Sequence, residues 1–130
     1  MRFAKLVFLI AGIIGLLELA PLYFMFNVIG RQDPPPITHP AFFYGFVGIG
    51  IAWQIAFLVV SRDPVRLRPI MIPAVIEKFS YVAAGITLYL QSRLHASDLT
   101  FVFVDLLFGI LFIAAFFKTA TASAKTIPPS

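Results

Sequence analysis

Five polar side chains interrupt the apolar stretches of this sequence: Glu18, Gln54, Glu77, Lys78 and Asp105. A charged group in a bilayer-spanning helix costs about 2.5–3.5 kcal/mol on insertion scales, so such residues mark pairing or function. Three of the five are carboxylic acids. A carboxyl group in hydrocarbon can donate a hydrogen bond when protonated, exchange a proton, or bind a cation. Lys78 offers the counter-charge. It is expected either to snorkel along its stem to the headgroups or to pair with Glu18 or with Glu77 of a neighbouring copy. Glu77 can serve as its counter-charge or bond to Gln54. His39 and His95 fall in connections, where a histidine is usually solvated.

Depth follows from the rise of about 1.5 Å per residue. Counted from the span ends, Glu18 and Asp105 share one half of the membrane, and Gln54, Glu77 and Lys78 share the other. Two separate polar levels are therefore expected. Two carboxyls at one level favour one of them keeping its proton. Faces follow from spacings of three and four. Glu18 shares its face with Ala4, Ala11, Gly15 and Leu22, a small-residue stripe of the kind that packs on neighbouring helices. Glu77 shares its face with Ala74, Ser80, Tyr81 and Ala84, and Asp105 has a bulkier surrounding of Phe101, Val102, Phe108 and Gly109. Glu18, Glu77 and Gln54 are expected to face the bundle interior.

The elements that carry these residues are spans of a membrane. The 130-residue chain is 60% apolar and 12% charged, with 15 Phe, and its mean hydropathy is +0.95. Soluble domains carry about twice that charge. A spanning helix needs about 20 mostly apolar residues, and four stretches qualify, at about 3–29, 41–60, 70–90 and 99–117. The fold class is all-α: a polytopic four-helix transmembrane bundle over residues 1–118, with a flexible cytoplasmic tail at 119–130. The first span opens like a signal peptide, but Glu18-Leu19-Ala20 before Pro21 is a poor cleavage site, so it reads as an uncleaved span.

Lys and Arg placement sets the orientation. Arg2, Lys5, Arg62, Arg66, Arg68, Lys118 and Lys125 fall on one side, and Arg31 and Arg93 on the other, which is seven against two. Both termini are expected in the cytoplasm of a bacterium, with the protein in its inner membrane. Arg31–Pro40 cannot be helical through its prolines. Asp63-Pro64 reads as a cap and first residue of the third helix, with Pro69 and Pro73 kinking its start. Tyr23, Tyr44 and Tyr89 read as interfacial belts.

No Cys is present, so thiol chemistry is excluded. No catalytic constellation, cofactor motif or metal-ligand set is legible, and no nucleic-acid partner is expected. The expected partners are the lipid bilayer and other membrane subunits or a second copy.

Ile13-Ile14-Gly15-Leu16-Leu17-Glu18-Leu19 in the first of four spans resembles the small multidrug resistance transporters. That resemblance implies a proton-exchanging Glu18 and a dimer. Four spans with buried acids and a Trp are similar to the sterol-isomerase and sigma-2-receptor superfamily. There, intramembrane carboxylates form an acid/base pair or recognise an amine, roles that would fall to Glu18, Glu77 and Asp105. Pro35–Phe46 and Arg62–Arg66 resemble small uncharacterised four-span bacterial membrane proteins, a likeness that implies no activity. The leading expectation is an accessory subunit of a membrane complex or a binder of a lipid or other hydrophobic ligand. A proton-coupled carrier and a lipid isomerase-type enzyme are the alternatives.

Overall fold

The computed structural model describes residues 1–126. Helix α1 runs Arg2–Leu19 and α2 runs Phe26–Gln32, with a 3-10 segment Ala20–Phe24 between them. Helices α3 (Pro40–Arg62), α4 (Met71–Leu90) and α5 (Leu99–Thr126) follow. Short 3-10 segments, Arg68–Ile70 and Ala96–Asp98, lead into α4 and α5. Among the described residues there is no strand. Four helices are long and apolar enough to cross a membrane: Arg2–Phe24, Pro40–Arg62, Arg68–Leu90 and Ala96–Thr121. Leu17, Ile49, Ile76, Phe103 and Phe117 are among the large apolar side chains left exposed around them. Such a surface fits an integral membrane protein, for which the solvent is hydrocarbon.

Prolines and polar residues set the breaks. Pro21 lacks an N–H, and the first span leaves α-geometry one residue before it. The span expected to continue to Ile29 thus ends early, and α2 resumes after Met25 as a separate short helix reaching Gln32. Asp63 accepts a hydrogen bond from the Arg66 amide, 3.3 Å away. This cap opens only a turn, because α4 waits until Met71, past Pro69. Pro73 falls in the first turn of α4, where its missing N–H is tolerated. At the other end of α4, Ser92 takes φ 57°. The Arg93 amide bonds to the Leu88 carbonyl and the Ser92 amide to that of Tyr89, a Schellman closure with Ser in the place usually held by Gly. Helix α5 continues past Lys118 to Thr126, into the segment expected to be a tail. The rest of that segment lies outside the described residues.

The helices pack as two antiparallel pairs, α1 with α3 and α4 with α5, and α1 joins the pairs by lying on α5. Glycines set the registers. A side chain on Gly12 would come within 2.9 Å of the Gln54 carbonyl, and one on Gly15 would overlap the Gln54 side chain. In the second pair, Gly85 receives Val102 and Gly109 receives Phe79. Lipid provides no hydrophobic drive between spans, so this close approach is what holds each pair. Gly15→Leu is expected to pry α1 from α3 and cost about 1–3 kcal/mol. Steric-trap unfolding in bilayer discs reads this directly, and an unchanged stability would mean the α1–α3 seam is loose.

The core occupies the half of the bundle nearer the chain termini. Phe8 and Phe112 stack with ring centroids 4.2 Å apart. Phe57 meets Phe112 edge-on at 5.0 Å. Ala4, Ala11, Val60, Met71, Ala74 and Ala115 close around them. Basic residues at this end add one tie within the α4–α5 pair and one between α5 and α1. Arg68 Nε donates to the Phe116 carbonyl at 2.8 Å, and its guanidinium lies 3.6 Å from the Phe116 ring centroid. Lys118 sits over Phe3 at 4.1 Å.

Candidate functional site

The other half of the bundle is not filled. The two pairs enclose a cavity of about 530 Å³, within the range of small-molecule pockets. Its walls are apolar, from Leu19, Leu22, Met25, Phe43, Phe46 and Phe101, and its floor is polar. Glu18, Gln54, Glu77, Lys78 and Asp105 all line it, together with Tyr81. The five intramembrane polar residues therefore form one site rather than the two levels expected from counting.

The registers explain the merger. With Gly85 facing Val102 across an antiparallel pair, Asp105 lies level with Val82, one turn from Lys78. One turn is about 5.4 Å, which a lysine stem spans. In the other pair Gln54 lies against Gly15, within one turn of Glu18. Counting residues from span ends missed both, because it fixes the depth of a residue on its own helix and not the register of one helix against another.

Lys78 does not snorkel. It is 4% exposed, and its Nζ lies 3.3 Å from Asp105 Oδ1 and 3.7 Å from Glu77 Oε2 of the same chain. Only the first contact is a hydrogen bond. Its partners are thus Asp105, which no sequence argument proposed, and its own neighbour Glu77, rather than Glu18 or another copy. The ammonium also lies 5.2 Å from the Phe57 ring, on the boundary between cavity and core. Gln54 is 2% exposed. Its Nε2 donates to the Gly50 carbonyl at 3.0 Å, which orients the amide and leaves Oε1 without a hydrogen bond. Glu77 Oε2 likewise accepts none. Glu18 is half-buried and lines the cavity. Two carboxyl groups therefore flank one ammonium and a third lines the same cavity, and every unpartnered buried atom among the described side chains is an acceptor. Such a floor can hold a cationic or hydrogen-bond-donating group, or pass a proton among its acids.

The rim carries Gln32, Asp33, His95, Ser97 and Asp98. His95 Nδ1 is 2.7 Å from Ser97 Oγ. His39 is placed elsewhere, exposed beside Phe42 with ring centroids 5.3 Å apart. Sequence reasoning passed over Asp33, Asp98 and the aromatic walls. One signal was available for Asp98: it precedes Asp105 by seven residues, two turns along one helix face, with Phe101 between them. Asp33 gave no such signal, since a loop folds it over the cavity. Among the described residues, no group of three or more metal-ligating side chains is present.

No protein-family model, curated protein or solved structure matches the chain, so the reading of this site rests on its own geometry.

Proposed function

We propose that the protein is a small membrane-resident binder of a lipid or other apolar molecule, held in the cavity between its two helix pairs. The observation that carries this reading is the cavity itself, a polar floor at membrane depth beneath apolar walls. In our reading the protein resides in a bacterial cytoplasmic membrane with both termini in the cytoplasm. The Lys and Arg asymmetry supports this orientation, with the cavity rim facing the opposite compartment. A role as accessory subunit of a membrane complex is compatible with it, the lipid-facing surface meeting neighbours.

The test is native mass spectrometry of protein extracted from its own membrane in mild detergent. A small apolar adduct is expected on the wild type and lost from Leu22→Trp, which fills the cavity from its wall. An adduct-free wild type, or an adduct indifferent to the substitution, overturns the reading.

A second reading is favoured by the place of Glu18. No hydrogen bond or ion pair engages its carboxyl among the described residues, and it lines the cavity. It would then exchange protons in a small carrier, and Glu18→Gln would abolish proton-coupled flux in liposomes. The enzyme alternative required a pocket joining at least two acids, and Glu18, Glu77 and Asp105 share one. Acid/base chemistry on a bound lipid is thus also geometrically open to them.

A further inference from the structure

Lys78 is the single lysine on the cavity floor, and its surroundings are unusual for an ammonium. The group carries three N–H donors. Here Nζ makes one hydrogen bond, to Asp105 Oδ1. Glu77 Oε2 stands 3.7 Å away as an ion-pair partner that accepts no hydrogen bond. The Phe57 ring closes the side toward the core. A protonated imine at the same nitrogen has one N–H, which matches the one hydrogen bond on offer.

We propose that Lys78 is a covalent anchor, forming a Schiff base with an apolar aldehyde seated between the cavity walls. This inference rests on the reading of the cavity as a ligand site. The bilayer supplies such a ligand as a long-chain alkyl aldehyde, whose chain lies along Leu22, Phe43, Phe46 and Phe101 with its carbonyl on the floor.

The chemistry balances within the residues present. The Lys78 ammonium passes one proton to Glu77 Oε2, and the freed Nζ lone pair attacks the carbonyl carbon. A C–N bond forms as the carbonyl π pair moves to oxygen. A proton shifts from nitrogen to that oxygen, giving a neutral carbinolamine. The Glu77 carboxyl then protonates the hydroxyl, the C–O bond breaks, and water leaves as the nitrogen lone pair closes the C=N bond. The sum is aldehyde plus ammonium giving protonated imine plus water, with Glu77 returned to a carboxylate. One cation replaces another, so Asp105 has a counter-charge before and after the reaction, and the net charge of the floor is unchanged at every step. The rim of Asp33, Ser97 and Asp98 gives the water a polar way out.

The experiment uses the full chain in polymer-bounded discs of phosphatidylcholine, a lipid with no primary amine. Decanal is added with sodium cyanoborohydride, which fixes an imine as a stable alkyl-lysine, and the product is read by intact mass and peptide mapping. Lys5 and Lys118 are exposed and serve as internal standards. The expected result is one decyl group on Lys78, gained at least about tenfold faster than on either standard because the carbonyl is held beside the amine. Decanol, with the same chain and no carbonyl, slows this labelling. Lys78→Arg keeps a cation for Asp105 and removes the fast phase. Glu77→Gln slows labelling of Lys78 relative to the same two standards. Labelling of Lys5 and Lys118 with Lys78 untouched or no faster overturns the proposal. If decanol still binds in that case, as read by native mass spectrometry, the ligand-site reading survives it. If decanol does not bind either, both fall. Should the Lys78→Arg protein not fold, the peptide map of the wild type decides alone.

Discussion

Lys78→Met is expected to destabilise the folded protein by about 3–5 kcal/mol, the scale seen when one partner of a buried ion pair is removed. Met matches the lysine stem in length and fills its space, so lost packing contributes little. The cost arises from what stays behind. Asp105 and Glu77 line the same floor as Glu18, and Lys78 is the ammonium that both of them face, at 3.3 and 3.7 Å. Without it, at least one acid must lie uncompensated at membrane depth or take up a proton. The same logic gives the control. Neutralising the partners together, in Lys78→Met with Glu77→Gln and Asp105→Asn, is expected to recover most of the loss, because neither acid that faced the ammonium is then left without it. Steric-trap unfolding in bilayer discs measures all three proteins in one frame. A single variant as stable as the wild type would show that Lys78 holds nothing together, and its ion pairs would have to be dismissed as incidental.

Phe112→Ala is expected to cost about 3 kcal/mol, the low end of the range for emptying a buried aromatic site. The low end applies because burial from lipid gains no hydrophobic term, so the loss is packing alone. Phe112 is fully buried. It stacks on Phe8 of α1 and meets Phe57 of α3, so one ring on α5 touches both helices of the other pair. The variant should therefore separate the pairs while leaving each pair intact. Cysteine cross-linking reads this cleanly, since the natural chain has no Cys. Cross-links within α1–α3 and within α4–α5 should persist, and those between α1 and α5 should weaken. Equal weakening of all of them would mean that the bundle melts as one unit and that the aromatic cluster is not a separable joint.

The two substitutions probe opposite halves of one molecule. The half near the termini is close-packed and aromatic. The other half is held open, because the pairs meet through Phe8, Phe57 and Phe112 and part beyond them. Gln54 and Lys78 sit at the junction, which is why two residues that sequence reading assigned to the inner level also line the cavity.

The sequence by itself determined that the chain forms four apolar helices and which residues are exceptional within them. Hydropathy and span length need only local composition, and the few polar residues inside such helices stand out for the same reason. Prolines at 40 and 69 likewise announce breaks locally, by withholding an N–H, whereas the first span was expected to run through Pro21. The meeting of Lys78 with Asp105, and of Gln54 with Gly15, was decided by tertiary structure. It depends on the sliding register of one helix against another, which is fixed where Gly12, Gly15, Gly85 and Gly109 admit a neighbour's side chain. A helix face can be read from spacing along one strand of sequence. Which residue lies opposite it depends on close packing between two, and a shift of one turn is enough to turn two polar levels into one site.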